Sequence, residues 1–176
     1  MSRHAPTRLT TRFILTAGVK EYRETIAEWV TADDVVLEIG CEWGTTSVLL
    51  AAQCEELVAT DISPECVERA RRERPGIRFE VLDGFDVRAA LDLGRPFTKV
   101  YIDMSGISGY HSLLDATSLL MAYATVLRPE AIVIKSAALK RFALHCVPWQ
   151  VGRGGLLSGR LSLTVDARQG DPALGP

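Results

Sequence analysis

Val35-Val36-Leu37-Glu38-Ile39-Gly40-Cys41-Glu42-Trp43-Gly44 decides how this chain is read. A short apolar run broken by one acid ends at a glycine, with a second glycine four residues on. Such a run, bounded by a turn residue, is a buried strand. Glycine at its end allows a tight turn and close approach of the backbone to a ligand. Outward from this segment, strand and helix alternate. Upstream, Gly18–Val30 places Tyr22, Ile26 and Trp29 or Val30 on one helical face. Downstream, Gly44–Cys54 reads as a helix and Glu56–Asp61 as a second strand that ends at an acid. Ser63-Pro64-Glu65 starts a helix, with Ser as N-cap, Pro at the first helical position and an acid in the first turn. That helix stops at Pro75-Gly76. Ile77–Leu82 is a third strand, Phe85–Leu91 a short helix, Phe97–Ile102 a fourth strand and Tyr110–Leu127 the longest helix, closed by Pro129. Ala131–Ile134 is the fifth strand and Ala137–His145 a last helix. Val147–Val151 and Arg160–Asp166 then pair as closing strands.

Strands separated by helices pair in parallel, through right-handed crossovers. The expected fold is therefore a single α/β domain. It is a Rossmann-like, doubly wound sheet, mostly parallel, with an antiparallel C-terminal strand. Its expected bounds are 1–166, with the Gly/Pro-rich 167–176 as a disordered tail. A length of 176 residues and a mass of 19.3 kDa suit one domain with a substantial core. A hydrophobic share of 47% against 24% charged is that of a soluble globular chain. Leu119–Ala124, the longest apolar run, is far too short to span a bilayer, so no membrane is expected as a partner. The start, MSRHAPTRLT, has no hydrophobic signal core. Cys41, Cys54, Cys66 and Cys146 form no CxxC pair, which speaks against a zinc site or a disulfide framework. A reducing, cytoplasmic location is expected.

In parallel sheets the ligand sits beyond the C-terminal ends of the strands. Asp61 ends the second strand, 21 residues after Gly40, and a carboxylate there can accept both hydroxyls of a ribose. Asp83, at the end of the third strand, can accept from an adenine amino group. These residues resemble the class I S-adenosylmethionine-dependent methyltransferases, whose first loop carries an acid followed by alternating glycines. Glu38, Gly40 and Gly44 match that pattern, and Glu42 replaces its central glycine. The resemblance covers roughly residues 17–135. It implies S-adenosyl-L-methionine as cofactor, held by Glu38, Gly40, Cys41, Glu42, Trp43, Gly44, Asp61, Ile62, Asp83, Gly84 and Asp103. An acidic loop suits a sulfonium that carries no phosphate better than it suits a dinucleotide.

The acceptor side falls after the fourth strand, at Tyr101-Ile102-Asp103-Met104-Ser105-Gly106. No asparagine occurs in the chain and no Asp-Pro-Pro tetrapeptide stands there, which argues against methylation of base amino groups. It also weakens a metal-dependent, catechol-type reading, so no metal is expected. Lys20, Asp103 and Lys135 resemble the Lys–Asp–Lys set of the FtsJ-type and fibrillarin-type RNA ribose 2′-O-methyltransferases, although the late glutamate of the FtsJ type is missing. That resemblance implies Asp103, Lys135 and Lys20 as catalytic residues and an RNA ribose hydroxyl as acceptor. A lysine beside a sulfonium and a second cation can act as a base toward such a hydroxyl. His111 and His145 are alternative bases.

Charge follows the same division. Residues 1–20 carry Arg3, Arg8, Arg12 and Lys20 and no acid, and 131–165 carry Lys135, Lys140, Arg141, Arg153 and Arg160 and no acid. The middle, 21–130, is strongly acidic. Two basic ends can build one phosphate-attracting face, or be ordinary solvated surface. Bland roles are open for the site residues too: Gly40 and Gly44 in the turn, Asp61 before a helix N-cap, Asp83 in a turn, Trp43 in packing, Lys20 and Lys135 in solvent. A small-molecule methyltransferase and a non-catalytic, cofactor-binding partner subunit are the other readings. A nicotinamide-dependent oxidoreductase is disfavoured, because the first turn reads G-C-E-W-G and not G-x-G-x-x-G.

Overall fold

In the computed structural model, which describes residues 9–94 and 96–147, the run Val35–Ile39 is buried at every position. The elements in chain order are β1 (Arg12–Thr16), α1 (Val19–Trp29), β2 (Val35–Ile39), α2 (Thr45–Ala51), β3 (Glu56–Asp61), α3 (Pro64–Glu73), β4 (Arg78–Val81), α4 (Val87–Leu91), β5 (Lys99–Ile102), α5 (Leu113–Val126), β6 (Ala131–Lys135) and α6 (Ala137–Leu144). A 3-10 turn, Tyr110–Ser112, leads into α5. The strands form one open sheet in the order β1-β6-β5-β2-β3-β4, and every pairing is parallel. This is the Rossmann-like α/β architecture. The expected closing strands and the tail 167–176 lie, Val147 apart, outside the described residues.

One strand departs from the sequence reading, which places no strand before residue 17. Arg12–Thr16 is a strand because β6 offers it an edge, with Thr16 in register with Lys135. Its apolar core, Phe13-Ile14-Leu15, is only half-buried and too short to stand out as a pattern. Both edges of β6 are thereby taken, by β5 and β1.

Alternation along each strand divides the core into two. Val35, Leu37 and Ile39 pack with Val100, Ile102, Ile132 and Ile134 under α4, α5 and α6. Val36 packs with Ala59, Tyr101 and Val133 under α1, α2 and α3, where Tyr22, Leu50, Val67 and Ala70 meet them. Glu38 shares the parity of Val36, so its side chain points into this second layer. Strand order reverses between β2 and β5, which places the crevice for a ligand above their C-terminal ends.

The opposite end of the sheet is tied by a buried ion pair. Lys99 Nζ lies 2.7 Å from Asp34 Oδ1 and 2.7 Å from Glu130 Oε2. Asp34 also accepts from the Thr98 and Thr31 hydroxyls and from the Thr31 N–H. Burial opposes both charges, but the hydrogen bonds outweigh it. They hold the Asp34 carboxyl below, and the Lys99 ammonium above, its ordinary range. Asp34→Ala removes the buried partner of the Lys99 ammonium and leaves it only the exposed Glu130, which should cost up to about 3–5 kcal/mol in urea unfolding. The double variant Asp34→Ala/Lys99→Met should lose less than the single one, because no buried ammonium is left with half its carboxylate partners.

Candidate active site

Gly40 ends β2 with φ +85°, in the left-handed region, and a Cβ there would stand 2.2 Å from the Asp103 carbonyl oxygen. The loops after β2 and β5 therefore touch through a position that only glycine can fill. The Gly40 and Cys41 N–H groups both donate to the Thr60 carbonyl, which ties the first loop to β3 as well. Gly44, at φ +78°, starts α2, and a Cβ there would meet the Phe79 ring at 2.8 Å.

Asp61 ends β3 beside this loop. Its Oδ2 accepts from the Glu42 N–H and its Oδ1 from the Ser63 N–H, each at 2.9 Å. Ser63 in turn accepts from Cys66 N–H and caps α3, with Pro64 behind it. The carboxylate is thus aimed by two backbone donors, and an ionised carboxylate has lone pairs left for two more.

A cavity of about 450 Å³ opens above β2 and β5. Gly40, Glu42, Asp61, Ile62, Gly84, Asp103 and Lys135 line it, and all of these were singled out in the sequence. Ile39, Met104 and Ser105 line it too, from the strand ends where the sequence places ligand and acceptor, together with Cys66 and Leu82, for which the sequence reading has no role. Their common signal is place: each stands at, or within one helical turn of, the C-terminal end of a strand. On the acceptor side Lys135 Nζ meets Asp103 Oδ1 at 2.5 Å, from adjacent strands. Ser136 caps α6 and donates to the Ile107 carbonyl, so the segment beyond Asp103 is pinned beside Lys135.

Other candidates stand elsewhere. Lys20 is on α1 with its side chain 89% exposed, 3.9 Å from Glu24. Trp43, 41% exposed, lies under the Arg69 guanidinium at 3.9 Å from the ring centroid. The exposed Asp83 accepts from the Phe85 N–H and closes a turn. Cys41 is buried below the loop, and burial pushes its thiol up. His111 and His145 are exposed and do not line the cavity. The cations Lys140 and Arg12 also have partners, Glu21 at 2.7 Å and the Trp29 ring. Arg3, Arg8, Arg153 and Arg160 lie outside the described residues. Among the described residues no cluster of three His, Cys, Asp or Glu side chains is placed to hold a metal. No helix among them is long and apolar enough to cross a membrane.

Glu38 lies under the cavity floor, 1% exposed, and accepts from the Ser47 hydroxyl at 2.5 Å. Burial raises its carboxyl to about 7 from 4.5. Asp103 and Asp61 add to the rise, while the Ser47 bond and the Arg23 charge oppose it. Near Glu38 the Tyr22 hydroxyl is fully buried and, among the described residues, without a hydrogen-bond partner. The sign of the linkage follows from the raised value. Between pH 4.5 and about 7 the folded chain keeps a proton that the unfolded chain releases. Stability from this group is complete below 4.5 and is lost as pH rises through about 7. Thermal melts of Glu38→Gln, which keeps an acceptor for Ser47 without the charge, should lack that loss. The gap in Tm between variant and wild type should widen as pH rises across this window.

Comparison with known proteins fits this geometry. Residues 36–130 match the family described as the methyltransferase domain. No curated protein matches the chain. Among solved structures, DesVI of Streptomyces venezuelae is 19% identical, with a TM-score of 0.51, over 67% of this chain and 52% of that one. The sugar N-methyltransferase KedS8 from a Streptoalloteichus species is 21% identical, with a TM-score of 0.50, over 66% and 46%. CalS10, an amino pentose methyltransferase from Micromonospora echinaspora solved with SAM bound, is 19% identical, with a TM-score of 0.46, over 58% and 43%. The chain spans about half the length of these structures, and at such identities the likeness is one of fold. The family match covers more than half of the chain, from inside β2 to the residue before β6, and takes in the glycine loop, Asp61 and Asp103. The chain belongs to the methyltransferase domain family, within the class I S-adenosylmethionine-dependent methyltransferases.

Proposed function

We propose that the protein transfers the methyl group of S-adenosyl-L-methionine to a hydroxyl or amine of a small polar acceptor held beside Asp103 and Lys135. The observation that carries this reading is the Asp103–Lys135 pair, 2.5 Å apart on the wall of the cavity that Gly40 and Asp61 also line.

The residues present fit the donor. Asp61, with two backbone donors behind it, has lone pairs free for ribose hydroxyls. The wall carries Glu42, Asp61 and Asp103 against Lys135 alone, which favours a cation over a phosphate. When bound, S-adenosyl-L-methionine supplies a methyl group that leaves its sulfur without the bonding electrons, as the acceptor lone pair forms the new bond. Asp103 accepts the hydrogen of the incoming O–H or N–H and so aims the lone pair. Lys135 neutralises Asp103 until the acceptor arrives; as the pair parts its ammonium gives one proton to solvent, and the free amine then takes the proton released in transfer. The contact between the Gly40 and Asp103 loops keeps donor and acceptor positions in register, and that positioning supplies much of the rate.

An RNA ribose as acceptor calls for a lysine on either side of Asp103. The exposure of Lys20 and its partner Glu24 lower the support for that reading, and the pairing of Lys140 with Glu21 lowers it further. KedS8, which shares the fold, is a sugar N-methyltransferase, so amino sugars head the panel of acceptors to be tried.

Titration calorimetry with S-adenosylhomocysteine tests the donor side. Wild type should bind, and Asp61→Ala should weaken binding by about 1.5–3 kcal/mol, the range for hydrogen bonds to a charged group. Absence of heat with wild type would remove the donor assignment. Methyl transfer to amino sugars, small alcohols and RNA tests the acceptor side. Lys135→Met should slow transfer by about 10²–10⁴-fold while leaving homocysteine-adduct binding intact. Asp103→Ala should act likewise, and Lys20→Met should change little. Full turnover in Lys135→Met would end its role as base. Donor binding without transfer to any acceptor would favour the partner-subunit reading.

A further inference from the structure

Glu42 occupies a backbone position that side chains avoid. Its φ is 50°, in the left-handed region, where glycine rests without cost and a glutamate does not. The turn itself asks only for the N–H of residue 42, which donates to Asp61. A glutamate that lines the cavity from this position adds a charge that the turn does not need.

Of the three carboxylates on the cavity wall, one is held by backbone donors and one is paired with a lysine. Asp61 takes the Glu42 and Ser63 N–H groups, and Asp103 is neutralised by Lys135. Among the described residues no lysine or arginine pairs with Glu42. The nearby guanidinium of Arg69 is turned to the Trp43 ring and to Glu73, at 2.7 Å. Lys135 is the one lysine or arginine among the cavity residues. Among the described residues the Glu42 carboxylate therefore has no basic partner at the site.

We propose that Glu42 is a specificity residue that favours the positively charged donor over the neutral product of transfer. The inference rests on the methyl-donor reading above. S-adenosyl-L-methionine and S-adenosylhomocysteine share every hydrogen-bonding group. They differ by one methyl group and by one positive charge, on the sulfur. Contacts to ribose or adenine cannot tell them apart, whereas a carboxylate on the wall of the cavity acts on that charge. The selection keeps the spent product from competing with fresh donor, and it accounts for a strained residue where glycine would suffice.

Calorimetric affinities for both molecules test it, in wild type, Glu42→Gln and Glu42→Gly. Glu42→Gln keeps the side chain's size and removes its charge. It should weaken donor binding by about twofold to fivefold, the size expected of a partly exposed charge pair. Product binding should stay unchanged, so the preference for donor over product falls. Glu42→Gly should lose the same preference although its turn is relaxed, which separates charge from strain. Raising the salt concentration should narrow the wild-type preference more than that of Glu42→Gln. An affinity ratio that is the same in wild type and Glu42→Gln would overturn the proposal while the donor assignment stands. Binding of neither molecule by wild type would overturn the donor assignment itself, and the selection with it.

Discussion

The approach of Gly40 to the Asp103 carbonyl governs the whole site. It is a steric constraint, since a Cβ at residue 40 would lie 2.2 Å from that oxygen. Because the contact joins the loops after β2 and β5, it spans the point where strand order reverses. The cavity exists because the two halves of the sheet diverge there, and its walls stay close because one of them has no side chain. Asp61, Glu42 and Asp103 are held within one cavity by this arrangement and by the Thr60 carbonyl, which takes two N–H groups from the loop.

Charge is distributed differently at the two ends of the sheet. At the N-terminal end Lys99 and Asp34 are nearly buried, and each is satisfied by several partners. At the C-terminal end Glu38 is buried with its carboxyl raised, the nearby Tyr22 hydroxyl has no partner among the described residues, and the wall holds more acid than base. One end is electrostatically closed, as suits a structural clamp. The other is left unsatisfied, as suits a site completed by a ligand.

Much of the fold was legible because its signals are local. Apolar runs of strand length, Ser63-Pro64 before a helix and Pro129 after one each act within a few residues, and the corresponding strands and helices form where those signals stand. Strand-end acids could be found the same way, since parallel sheets expose their C-terminal ends to ligand. Local reading failed where the partner is distant. Arg12–Thr16 is a strand because β6 lies beside it. The stacking of Trp43 under Arg69 likewise depends on a residue far away in the sequence, while the turn that Asp83 closes with the Phe85 N–H is local. Lys20 stands the expected distance ahead of the glycine loop, yet its side chain runs into solvent along α1.

By itself, then, the sequence determined an alternating α/β chain, the glycine turn after β2 and the acids that end the strands. These follow from backbone sterics and hydrophobic periodicity, which operate over a few residues. The meeting of Asp103 and Lys135 was already expected from their strand ends, whereas tertiary structure alone decided that Glu38 is buried under Ser47, that β1 takes the free edge of β6 and that Glu42 stands in a left-handed turn without a basic partner among the described residues. Each of these depends on which strands become neighbours, and strand order is set by burial summed over the whole sheet, which no short segment encodes.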